Sequence, residues 1–151
     1  MRNNSNTINL KGLPVAFVQL DFENLSALET ALTQQKYIYI SHAAGITKAN
    51  TEDEYYLANN IYSANLAIAA NNSREYLKRF IFISSMAAAG SLKGTIDLID
   101  ENRVPNPVTA YGRSKLNAEK SLGSLNLPLT ILRPTAIYGP RERDLFIITN
   151  Y

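Results

Sequence analysis

Four short apolar runs, Val15–Leu20, Tyr37–Ser41, Phe80–Ser84 and Leu129–Arg133, recur along this chain, and longer stretches with helical spacing lie between them. That alternation restricts the fold more than any other feature. Runs of this length, rich in Val, Ile, Phe and Tyr, suit strands covered on both faces. Asn24–Gln35 places Leu25, Leu28 and Leu32 on one stripe, with Asn24 or Ser26 available as N-cap. Thr51–Asn72 opens Thr-Glu-Asp-Glu, with acids where a helix N-terminus favours them. Thr109–Leu125 carries Leu116, Ala118 and Leu122 just after Pro107. Strands alternating with helices predict an α/β domain with a parallel sheet. Ser91–Pro107 reads as a long loop of functional character.

Ligands of open parallel sheets bind beyond the carboxyl ends of the strands. The residues after each run therefore carry the functional expectation. They are Asp21-Phe22, then His42-Ala43-Ala44-Gly45, then Ser85-Met86-Ala87-Ala88-Ala89-Gly90, then Pro134-Thr135-Ala136-Ile137-Tyr138-Gly139-Pro140. Small residues let a backbone approach a flat ligand closely, and tight strand-to-helix turns need them equally.

Composition removes several function classes. The chain has 151 residues, about one domain, with 46% apolar and 19% charged residues. It has no cysteine, which excludes disulfides and thiolate metal sites, and its single histidine, His42, offers little to an imidazole-based site, so no metal is expected. The formal charge is +2 with scattered basic residues, so neither nucleic acid nor membrane is an expected partner. No apolar run approaches the roughly 18 residues of a membrane span. The polar start, MRNNSNTINL, is unlike a secretory signal, and a cytoplasmic location is expected.

Tyr111 and Lys115 stand one helical turn apart and share a face. An ammonium beside a phenol stabilises the phenolate, which equips such a pair to exchange a proton with a substrate hydroxyl or carbonyl. Ser85, at a strand end, could hydrogen-bond the same oxygen, and a hydride acceptor beside it would complete an alcohol–carbonyl redox site. Spacing alone is weak ground. This composition yields about 0.4 such Tyr–Lys pairs by chance, and the commoner reading of one pair is a solvated helix face.

The surrounding sequence adds to it. Tyr-Gly-Arg-Ser-Lys at 111–115 resembles the catalytic signature of short-chain dehydrogenases/reductases. Four stretches resemble their extended branch, the NAD-dependent epimerase/dehydratase family: Ile40–Gly45, Phe82–Gly90, Pro107–Lys115 and Leu132–Arg141, in family order and spacing. The likeness is greatest to nucleoside-diphosphate-sugar epimerases and dihydroflavonol-reductase-like proteins. It implies a Rossmann-like doubly wound sheet, NAD or NADP as cofactor, and a small-molecule substrate such as a nucleotide sugar. It also implies a homodimer through two long helices. By position, Tyr111 would be the general acid/base and Lys115 would hold the nicotinamide ribose and support the phenolate. Ser85 would polarise the substrate oxygen, with Ser84, its neighbour, on the cofactor side. Asp21 and Phe22 would meet the adenine, and Ala43, Ala44 and Gly45 the adenosine side. Asn59 would stand close to the active-site lysine, among the cofactor-binding residues. Pro134 would bound the nicotinamide, and Thr135 and Ala136 would face the substrate. Arg2 matches a position that can meet a 2′-phosphate, though a solvated side chain near the chain end is the commoner reading; Arg141 and Arg143 could reach a substrate phosphate or sit in an exposed turn. His42, Tyr55, Tyr56 and Tyr62 read as packing residues.

One family feature is missing from the sequence. No strand leads into a G-x-x-G-x-x-G turn, whose glycines admit a pyrophosphate to a helix N-terminus. The match begins where the family's second strand would end and stops before its substrate-binding half. Residues 1–151 thus read as a partial NAD(P)-binding domain whose sheet lacks its first two strands, a piece of a protein of about 300 residues. In the order 3-2-1-4-5-6, that leaves roughly 14 Å between Val15–Leu20 and Tyr37–Ser41. The sheet would have to close by direct pairing, be filled by another chain, or fold poorly. Without the turn, dinucleotide binding by the chain alone is expected to be weak, and a catalytically silent structural or oligomerising role is the alternative.

Overall fold

A computed structural model describes residue 10 and residues 12–91 and 100–139. Within them the chain is α/β. Helix α1 (Leu25–Gln35) leads to β1 (Tyr39–His42). A long helical run follows: α2 (Glu52–Tyr56), a π-helical turn (Leu57–Ile61) and α3 (Tyr62–Asn72). Then come β2 (Arg79–Ile83), α4 (Ala110–Gly123) and β3 (Leu129–Leu132). The three strands form one sheet in the order β1-β2-β3, parallel throughout.

Side chains cap the three helix starts, Asn24 as expected and the two threonines in addition. The Asn24 carboxamide accepts from Ala27 N at 3.0 Å, Thr51 Oγ1 from Glu54 N at 3.2 Å and Thr109 Oγ1 from Gly112 N at 3.0 Å. Lys36 ends α1 in the left-handed region at φ 51°, its N–H returning to Leu32 O. The Lys36 ammonium lies 5.0 Å from the Tyr76 ring centroid.

Phe80 and Phe82, both wholly buried, alternate on one face of β2 and form the centre of the core. Leu28 and Leu32 of α1, Leu66, Ala67 and Ala70 of α3, and Ala118 and Leu122 of α4 pack with them. Register sets Ile40 and Leu129 beside Phe80, and His42 and Ile131 beside Phe82. The opposite face is more open, with Tyr39 largely and Leu132 about half exposed. The three helices thus cover one side of the sheet, and among the described residues the expected cover on both sides is not present.

Val15–Leu20 departs from expectation: it belongs to no strand, and Val15, Phe17 and Val18 are about half exposed. A run becomes a strand only through a ladder with its neighbour. The expected strand order leaves two strand widths between this run and β1, and no described strand fills them. The sheet does not close by direct pairing; the last three runs pair with one another and leave the first aside. Within the loop expected at Ser91–Pro107, residues 92–99 lie outside the described residues, as do Arg2, Arg141 and Arg143. Asn106 forms an isolated parallel bridge with Gly90.

Candidate active site

The strand ends, the first turns of α4 and the segment after β1 enclose a cavity of about 260 Å³. Ala43 and Gly45 enter it after β1, Ser84 and Ser85 after β2, and Pro134 and Thr135 after β3. Tyr111 and Lys115 enter it from α4, and Ile46, Thr47, Ile83 and Ile137 complete the wall. The Tyr–Lys pair therefore lies beside a strand-end serine at the rim of a crevice rather than on a solvated helix face.

Lys115 is 4% exposed despite its charge. Its Nζ donates to Ile83 O at 3.0 Å and lies 5.0 Å from the Phe82 ring centroid. Burial pulls its pKa below the ordinary lysine value, and the charge of Glu119 opposes that shift. Tyr111 packs its ring against Tyr55 at 6.1 Å, and Tyr55 Oη donates to Thr47 O at 3.1 Å. Tyr55, expected only to pack, thus borders the site, whereas Tyr56 is about half exposed. Tyr62 fits the packing expectation better: its ring lies 6.4 Å from Phe22, and its hydroxyl donates to Glu23.

The two serines after β2 separate cleanly. Ser84 is buried and donates its hydroxyl to Glu119 Oε1 at 2.5 Å. Ser85 Oγ instead accepts from Ala87 N at 3.2 Å, which leaves its own hydrogen available for an oxygen in the cavity.

Asn59 is wholly buried in the π-helical turn and does not line the cavity. Its Oδ1 accepts from Ile46 N at 2.8 Å, and its Nδ2 donates to Ile46 O and Ser114 Oγ, each at 3.0 Å. Ser114 Oγ in turn donates to Tyr111 O at 2.8 Å. Asn59 therefore stands behind the site and fastens the Gly45–Ile46 turn to α4. One step further along, Ser121 Oγ on α4 donates to Asn60 Oδ1 at 2.9 Å. A Cβ on Gly45 would come within 2.7 Å of Asn59 Oδ1 and 3.3 Å of Lys115 Nζ, so this approach requires glycine. Asp21, Phe22, Ala44 and Ala136 also lie outside the cavity wall. Asp21 turns back to accept from Glu23 N at 2.9 Å, and Phe22 stacks on His42 at 6.0 Å.

His42 is a buried packing residue, as expected. Ser63 Oγ donates to Asn59 O at 2.7 Å, which commits its hydrogen, so His42 Nε2 donates to Ser63 Oγ at 2.8 Å. Burial first, and the charge of Lys115 second, lower its pKa from 6.5 to about 4. Below pH 6.5 the unfolded chain takes up a proton there that the folded chain refuses. Stability from this site is therefore complete above pH 6.5 and falls by about 3 kcal/mol as pH drops to about 4. His42→Phe should flatten that part of the profile in urea titrations at stepped pH; an unchanged slope would exclude this origin.

The sequence matches the NAD dependent epimerase/dehydratase family over residues 1–150, and the chain belongs to that family. It is 31% identical over 129 residues to the N-acetyl-alpha-D-glucosaminyl-diphospho-ditrans,octacis-undecaprenol 4-epimerase of Escherichia coli O157:H7, covering 82% of this chain and 38% of that protein. Its fold resembles the UDP-glucuronic acid 4-epimerase of Bacillus cereus, solved with UDP-glucuronic acid and NAD. The TM-score is 0.73 at 27% identity, covering 91% of this chain and 45% of that one. It likewise resembles a dTDP-4-dehydrorhamnose reductase ortholog from Clostridium acetobutylicum, with a TM-score of 0.75 at 26% identity, covering 94% and 52%. The chain spans well under half the length of the curated relatives it matches, 29% and 40% for two of them. Among the described residues no helix is long and apolar enough to cross a membrane, and no group of His, Cys, Asp or Glu could hold a metal ion.

Proposed function

We propose that this chain supplies the catalytic corner of an NAD(P)-dependent epimerase/dehydratase-type oxidoreductase acting on a nucleotide sugar, within a longer protein. The single observation that carries the reading is the convergence of Tyr111, Lys115 and Ser85 on one cavity at the strand ends. The small wall at Ala43 and Gly45, and the ammonium donors that Lys115 does not spend on Ile83 O, fit the nicotinamide–ribose end of the cofactor. No glycine-rich turn is present for the pyrophosphate, so the fit covers that end only. When bound, a nicotinamide supplies a hydride acceptor and donor.

In this reading Tyr111 takes the proton of a substrate hydroxyl as the adjoining C–H hydrogen leaves as hydride, and returns a proton in the reverse step. Ser85 donates to the same oxygen and fixes its direction. Lys115 binds the ribose and holds positive charge beside the phenolate. Pro134 bounds the nicotinamide and Thr135 faces the substrate. Asn59 acts from behind by positioning α4. Asp21, Phe22, Ala44 and Ala136 keep cofactor or substrate roles only if these segments approach the ligand in the longer protein. The likeness to a Clostridium reductase supports a carbonyl-reductase outcome built on the same three residues. Residues 1–151 form one partial NAD(P)-binding domain of a cytoplasmic homodimer.

In the complete protein, Tyr111→Phe is expected to lower turnover about a thousandfold with cofactor affinity nearly unchanged. The assay follows reduced-nicotinamide absorbance and sugar products. Full turnover by that variant would refute the assignment.

A further inference from the structure

We infer that Glu119 is a positioning residue of this site: its carboxylate ties the ends of β2 and β3 to α4 and sets a negative charge one helical turn from Lys115. Tyr111, Lys115 and Glu119 follow one another at single-turn spacing on one face of α4. The Glu119 side chain is 6% exposed. Arg133, the residue after β3, grips it with two hydrogen bonds, Nε to Oε1 at 2.9 Å and a terminal nitrogen to Oε2 at 2.6 Å. Ser84, the residue after β2, adds its hydroxyl to Oε1. The strand ends are also joined directly, by Ser84 N to Leu132 O at 2.7 Å and Met86 N to Pro134 O at 2.9 Å. One carboxylate thus anchors both segments that carry Ser85 and Pro134 to the helix that carries Tyr111 and Lys115.

The charges explain why it is an acid. Arg133 is ion-paired with Glu119 at 2.6 Å, and Lys115 lies one turn before Glu119 on α4, where the carboxylate favours its charged form. Among the described residues, the other groups facing Lys115 bring no negative charge to it. His42 of β1 is neutral, β2 presents the Phe82 ring and the Ile83 carbonyl, and the π-helical turn presents the Asn59 carboxamide. Tyr111 adds a phenol from the same helix. Without Glu119, burial would act on Lys115 unopposed.

The test is a titration of this chain labelled with 13C-lysine, following the Cε shift of Lys115, assigned by its loss in Lys115→Met. Glu119→Gln keeps an amide oxygen for Ser84 and Arg133 but removes the charge. The Lys115 midpoint is expected to fall by about one pH unit or more. Collapse of the fold would move it the other way, up to the ordinary lysine value, so the sign separates an electrostatic role from a structural one. If Glu119→Gln does collapse, Arg133→Gln decides. In that variant, with native circular dichroism, the midpoint should rise as Glu119 is released to Lys115. An unchanged Lys115 midpoint in folded Glu119→Gln, or in folded Arg133→Gln, would overturn the proposal. The chemical use of the charge rests on the function proposed above. Lys115 titrates whether or not the longer protein turns over, so failure of the one is distinguishable from failure of the other.

Discussion

Replacing Asn59 by leucine is expected to destabilise the chain by roughly 3 kcal/mol, although leucine is apolar, similar in size and wholly enclosed at that position. The loss comes from what Asn59 holds. Leucine would leave Ile46 N–H and C=O without their partners at 2.8 and 3.0 Å and would remove a donor from Ser114. Each orphaned polar group in a part-buried place costs about 1–2 kcal/mol. The Gly45–Ile46 turn would then come away from α4, and amide exchange at Ile46 should quicken well before global unfolding. Urea denaturation with hydrogen exchange at that amide checks both. A change below about 1 kcal/mol with Ile46 still protected would show that the turn is held by something else.

Gly112→Ala is expected to cost about 2 kcal/mol net, against the usual direction for glycine within a helix. Elsewhere on α4 alanine should help: a Cβ on Gly123 meets nothing within 4 Å, and Gly123→Ala should stabilise by about 0.5–1 kcal/mol. At Gly112 the new Cβ would lie 2.3 Å from Ala87 O and 2.9 Å from Ala87 C, both backbone atoms. Backbone cannot swing aside, so α4 must move off the turn at Met86–Ala88, and overpacking of this kind costs about 1–3 kcal/mol. The same movement would shift Tyr111 relative to Ser85, so turnover under the function proposed above should fall too. Melting curves of the two variants should shift in opposite directions; a stabilising Gly112→Ala would remove the close approach from the account.

The glycine inside Tyr-Gly-Arg-Ser-Lys was visible in the sequence, but its reason was not. Helical spacing put Tyr111 and Lys115 on one face and did not say which face, or that Ala87 would press against it. Ser84 and Ser85 were adjacent candidates that periodicity could not separate. The partner of Ser84 lies 35 residues away, and only the docking of α4 brings it there. Asn59 was placed near the lysine by resemblance, yet its bond to Ser114 spans 55 residues and its π-helical turn has no clear mark in a helical pattern. Glu119 escaped notice, though one clue was present: it continues the Tyr111–Lys115 stripe by one more turn. The Val15–Leu20 run has a strand's composition and no place in the sheet.

By itself the sequence determined what neighbours within a turn can settle. That includes the caps Asn24, Thr51 and Thr109, the helices they open, and the pairing of Tyr111 with Lys115 on one face. Those depend on groups only three or four residues apart. The tertiary structure alone decided whether the first apolar run became a strand, which serine faces the cavity, and that a buried glutamate joins two strand ends to α4. Each of those depends on a partner many residues distant, and such a partner acts only once the helices have closed over the sheet and excluded water from the contact.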